Sequence, residues 1–76
     1  MTTLSDVTLH IDENLATARR TLITDKVRAM SGVAEVLNPD ERPHLTVIRY
    51  EADKANAGEI LALVRNEGIH AELIGL

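Results

Sequence analysis

Apolar and polar residues alternate from Leu4 to Ile11. Val7, Leu9 and Ile11 take one side, and Thr8 and His10 take the other. A period of two with β-branched residues is the pattern of a half-buried strand. From Leu15 the period lengthens. At about 100° per residue, Leu15, Leu22, Ile23, Val27 and Met30 share one half of a helical wheel with Ala16, Ala18 and Ala29, which predicts a helix over 15–31. Asp12, Glu13 and Asn14 precede it as helix-start residues, with acids favoured at the positive end of the dipole. Gly32 follows as the residue that stops it. Arg19 and Lys26 fall inside the apolar arc, where their stems are expected on the core edge and their heads in water.

The pattern then returns to short strands. Val33–Leu37 and Leu45–Tyr50 flank a turn, Asn38–Pro43, bracketed by Pro39 and Pro43, and the pair reads as a hairpin. In the second of these strands Leu45, Val47 and Ile48 do not alternate cleanly, so its inward face stays open. Asn56 and Glu59 have capping-box spacing at the start of a second helix, which runs to about Glu67 with Ala57, Ile60, Leu61, Leu63 and Val64 on its apolar side. Gly68 ends it, and Ile69–Ile74 alternates as a last strand. The order β-α-β-β-α-β, with one apolar face per helix, predicts an α+β ferredoxin-like sandwich. Its four-stranded antiparallel sheet carries both helices on one face, and the first strand lies between the third and the fourth. The 76 residues are expected to make a single domain, 1–76.

Composition narrows the chemistry. The sequence has no Cys, no Phe or Trp and one Tyr, so its core is aliphatic and it holds neither disulfide nor thiolate ligand. A formal charge of −4 without a basic stripe or aromatic set argues against nucleic acid. No apolar run approaches the roughly 20 residues of a membrane span. The start, MTTLSDV, lacks the basic and apolar regions of a signal peptide, so a soluble cytoplasmic protein is expected. No nucleophile stands beside a base, and no phosphate loop or carboxylate pair is visible, so binding is expected and an enzyme is not.

Ser31-Gly32-Val33 closing the first helix, Tyr50 ending the third strand, Ile60 and Val64 in the second helix, and Gly68-Ile69-His70-Ala71 opening the fourth strand together give a resemblance. Over nearly its whole length the chain resembles the heavy-metal-associated domain, the family of small copper chaperones and metal-pump modules. The resemblance implies the same sandwich and a part in metal binding or metal transport. It also implies a Met-x-Cys-x-x-Cys loop before helix 1, whose methionine would fall near Asn14 and whose cysteines near Ala16 and Arg19. None of the three matches, so no metal ligand is carried over. Any ion would be held through other donors.

Three candidate sites remain. His10, His44 and His70 are expected at one end of the sheet, the end where the resemblance places metal. Asp12 or Glu13 would add an oxygen to a site for Zn(II), Cu(II) or Ni(II). The ordinary alternative is three separate solvated histidines, and no cofactor is demanded by the sequence. Arg19 and Arg20 at the start of helix 1 are a candidate for a phosphate or carboxylate. The sheet face without helices is expected to show Thr8, His10, His70 and Glu72, and, if the third strand follows the register the resemblance implies, Leu45, Val47 and Arg49, a mixed surface for a protein partner or a homodimer. Two functions are therefore carried forward: metal binding or trafficking through non-cysteine ligands, or a metal-free interaction module using the open face.

Overall fold

The computed structural model describes residues 3–74; residues 1, 2, 75 and 76 of the expected domain lie outside that range. Its elements are β1 (Leu4–Ile11), α1 (Thr17–Arg28), β2 (Val33–Leu37), β3 (Leu45–Glu51), α2 (Ala57–Arg65) and β4 (Ala71–Ile74). They form one four-stranded sheet of order β2-β3-β1-β4, with every pairing antiparallel. This is the ferredoxin-like arrangement expected from the sequence.

The alternation in β1 decides which face is buried. Val7, Leu9 and Ile11 turn under the helices, where they meet Ile48 of β3, Val36 of β2 and Ala71 of β4. Ile23 and Val27 from α1 and Ile60 and Val64 from α2 close this core from above. In β3 it is Thr46 and Ile48 that point inward, at 4% and 0% exposure, so Leu45, Val47 and Arg49 stand on the open face. The buried hydroxyl of Thr46 is satisfied by the Asn38 amide at 3.2 Å.

The second helix starts as its sequence predicts. The Asn56 side chain accepts the Glu59 backbone N–H at 2.8 Å. The first helix differs from expectation in three ways. It runs from Thr17 to Arg28 rather than 15–31, its N-cap is Ala16 with no side-chain cap, and its first turn has no acid. Asp12, Glu13 and Asn14 do not cap it because each is drawn to a histidine at the sheet end. Its buried stripe is also narrower than the apolar arc. Only Ile23 and Val27 are buried, and Leu22 is 45% exposed. The heads of Arg19 and Lys26 do not simply reach water. Both meet Glu67 beyond α2, through Arg19 to its carbonyl oxygen at 2.7 Å and Lys26 to its carboxylate at 2.9 Å.

Candidate metal centre

The end of the sheet that holds the C-terminus of β1 and the N-termini of β3 and β4 collects the polar side chains. His10 stands on the open face because its neighbours Leu9 and Ile11 are buried. Strand register places Glu72 directly opposite His10 across β1 and β4. The His10 Nδ1 lies 2.9 Å from the Glu72 carboxylate and 3.0 Å from the Asp12 carboxylate. One imidazole N–H thus donates between two acceptors. Glu72 and then Asp12 hold that proton, raising the His10 pKa above its ordinary 6.5. One ligand atom each from His10, Asp12 and Glu72 all lie within 4.8 Å of one another.

The other two histidines adjoin this cluster without entering it. The His44 ring stacks on His10, with centroids 5.8 Å apart and planes 16° from parallel. Its Nδ1 donates to the Ile11 carbonyl oxygen at 2.6 Å, and its Nε2 lies 2.9 Å from the Asn14 amide oxygen. Both ring nitrogens already have neighbours on other residues, and the His44 ring props that of His10. His70 sits just before β4 with its side chain 83% exposed, and its Nδ1 is 2.9 Å from Glu13. The same carboxylate accepts the His70 backbone N–H, 3.0 Å from each oxygen. This contact raises the His70 pKa above 6.5 and lowers that of Glu13 below 4.5.

The sequence pattern puts Glu72 on the open face beside the histidines without marking it as a ligand. The signal that could have found it is the alternation of the last strand, which sets His70 and Glu72 on one side. Arg19 and Arg20 diverge. Arg19 goes to Glu67, whereas Arg20, with its side chain only 11% exposed, bonds Asn38 and Asp40 in the β2–β3 turn. Val47 and Arg49 sit together on the open face, Val47 one sheet row and Arg49 two rows from His10.

At the positions where the resemblance puts thiolates, Ala16 has no donor and the Arg19 guanidinium has left the loop. A two-thiolate Cu(I) site does not fit this chain. Among the described residues no helix is long and apolar enough to cross a membrane.

No protein-family model and no curated protein matches the sequence. Solved structures do match the fold. Oxidised MerP from Ralstonia metallidurans CH34 superposes with a TM-score of 0.84 at 15% identity, covering 96% of this chain and 100% of that one. The N-terminal domain of a potential copper-translocating P-type ATPase from Bacillus subtilis, in its Cu(I)-loaded state, gives 0.85 at 16% identity, covering 96% of this chain and 90% of that one. The yeast copper transporter domain Ccc2a gives 0.80 at 19% identity, with 91% and 93% covered. These are heavy-metal-associated domains, and the chain has their fold without a cysteine.

Proposed function

We propose that this chain binds a divalent transition-metal ion through His10, Asp12 and Glu72, as a small metal-handling protein without thiolates. The observation that carries the reading is the convergence of one imidazole and two carboxylates within 4.8 Å at the strand ends. A tetrahedral Zn(II) with nitrogen and oxygen ligands at about 2.0–2.2 Å separates its donor atoms by about 3.3–3.6 Å. The His10 contacts at 2.9 and 3.0 Å therefore need to open by about 0.3–0.7 Å once the bridging proton leaves. Imidazole and carboxylate suit Zn(II), Ni(II) or Cu(II), and the lack of sulfur disfavours Cu(I). The known metal handlers that share the fold support the role, and the His44 stack supports the site by holding the His10 ring in place.

The test is calorimetric titration of Zn(II), then Ni(II) and Cu(II), with imidazole and carboxylate NMR resonances followed in parallel. One equivalent should shift His10, Asp12 and Glu72 together and release a proton, because the ligand nitrogen must shed the one it shares. Glu72→Gln and His10→Gln should each weaken binding by at least tenfold. Scattered shifts that need large excess, or affinity unchanged in both variants, would overturn the assignment.

A further inference from the structure

The open sheet face carries a row of residues that runs across all four strands. Register aligns Leu37 of β2, Val47 of β3, Thr8 of β1 and Ile74 of β4. Leu37 is 49% and Ile74 41% exposed, and Val47 between them is half-buried. At about 4.8 Å between strands, the row is about 14 Å long. On one side of it lie Glu35, Arg49 and Asp6, where a single guanidinium is shared between two carboxylates at 3.7 and 3.1 Å. On the other side lie His10 with Glu72, backed by Asp12 and Glu13. Each flanking row is two residues along the strands, about 7 Å away.

Charge is distributed unevenly between the two faces. Asp6, Asp12, Glu13, Glu35 and Glu72 against Arg49, with Glu51 of the same face neutralised by Lys54 at 3.0 Å, leave the open face and its edge four charges negative, which equals the formal −4 of the whole chain. The rest of the molecule, helices and turns included, is therefore balanced. An apolar strip between two acidic borders matches an amphipathic helix with an apolar stripe and lysine or arginine on both flanks. A helix is 10–12 Å across with side chains, so about nine residues of one would lie along the row. A second copy of this chain is the poorer occupant, because it would bring an equally negative face against this one.

We infer that the open sheet face is a docking surface for a cationic amphipathic helix of a protein partner, seated along Leu37–Val47–Ile74 with its basic flanks on the two acidic rows. The apolar row lies outside the His10 cluster, but one of the two acidic rows is that cluster, so a bound ion would compete with one basic flank. Chelator in every sample keeps the two apart.

The probe is an amphipathic leucine–lysine helical peptide, with its leucine–glutamate counterpart as control, titrated into isotope-labelled protein and followed by amide and methyl NMR. The expected result is saturable shifts at Leu37, Val47, Thr8 and Ile74 from the lysine peptide alone. Affinity should fall at least tenfold between low and physiological salt, because exposed charges are screened beyond about 8 Å at 0.15 M. Val47→Asp should abolish the shifts. Leu37→Ser, on the exposed edge strand, should weaken them in a protein whose spectrum is otherwise unchanged. Shifts confined to the helices, no saturation, or binding indifferent to both substitutions would overturn the inference. Sedimentation showing a dimer that Val47→Asp dissociates would overturn it as well, in favour of a second copy as the occupant.

Discussion

Gly32 and Gly68 form a matched pair that separates backbone strain from crowding. Both stop a helical segment, and both lie in the left-handed region, at φ +91° and +83°. An alanine at either position meets the same conformational cost, about 1–2 kcal/mol for an L-residue held left-handed. Their surroundings differ. A Cβ at Gly68 meets nothing within 4 Å, whereas one at Gly32 would lie 2.8 Å from the Lys54 Cβ and 3.1 Å from the Ala55 Cβ. The neighbour cannot easily retreat. The turn that carries Lys54 is held by Lys54 and Ala55 N–H groups on the Glu51 carbonyl, each at 2.9 Å, and by Glu51 N–H on the Gly32 carbonyl at 2.7 Å. Overpacking of this kind adds about 1–3 kcal/mol.

Gly68→Ala should therefore cost about 1–2 kcal/mol and Gly32→Ala about 2–5 kcal/mol. For 76 residues the total stability is on the order of 4–11 kcal/mol, so the second change consumes a large share of it. Urea denaturation decides the matter. With a slope near 1 kcal/mol per M, the Gly32→Ala midpoint should lie roughly 1–3 M below that of Gly68→Ala. Both slopes should match the parent, so that the comparison reports stability rather than a changed denatured state. Equal losses, or a larger loss at Gly68, would refute the crowding argument. Gly32 lies at the opposite end of the sheet from His10, so ion binding by the folded fraction of its variant should be unaltered.

Two further outcomes follow from the same geometry. Asn56→Ala removes the acceptor for the Glu59 N–H and should cost about 1 kcal/mol, read as a fall in Tm of roughly 4–8 °C. The metal-free protein should also be most thermostable between pH 4.5 and 6.5. His10 and His70 bind their protons more tightly folded than unfolded, so their contribution is complete below 6.5 and is lost as pH rises through the folded values. Glu13 is shifted down, so its contribution is present above 4.5 and is lost as pH falls. A thermal melt series should show Tm declining above 6.5 and flattening in the His10→Gln, His70→Gln double variant; a Tm that rises from pH 6 to 8 would count against both contacts.

The elements whose signals are local were legible in the sequence. Alternation in β1, the Asn56 cap and the two stopping glycines each depend on neighbours along the chain, and the topology follows from their order. Helix 1 departs from its sequence pattern at both ends and in its buried face because its determinants are tertiary. Asp12, Glu13 and Asn14 have the composition of a helix start, yet their side chains are taken by His10, His70 and His44. Arg19 and Lys26 interrupt the apolar arc because Glu67, more than 40 residues away, receives them. Strand β3 was ambiguous because Leu45 to Ile48 are all compatible with either face, and the choice falls to the buried Thr46 hydroxyl and its Asn38 donor. The same limit governs the candidate centre. Alternation assigns His10 and Glu72 to the open face, but only the register of β1 against β4 makes them partners, and register between distant strands is not written in either segment.

The position of that centre on strands rather than on a loop has a mechanical consequence. Among the described residues four of β4 pair with β1, and the strand forms one edge of the sheet. Its attachment is reinforced around the His10 cluster: the Asp12 N–H reaches the His70 carbonyl at 2.9 Å, Glu13 grips the His70 backbone, and Arg65 holds the Ala71 carbonyl at 3.0 Å. An ion held jointly by Glu72 of β4, His10 of β1 and Asp12 just beyond it would add a cross-strand staple at the same place. Because it would bind the native pairing and not the unfolded chain, its binding free energy would appear directly as stability of the β1–β4 edge. Loop-borne ligands can follow an ion without moving the sheet, whereas these two strand-borne ligands cannot separate without breaking a ladder pair. The proposed metal site and the integrity of that edge are therefore one equilibrium.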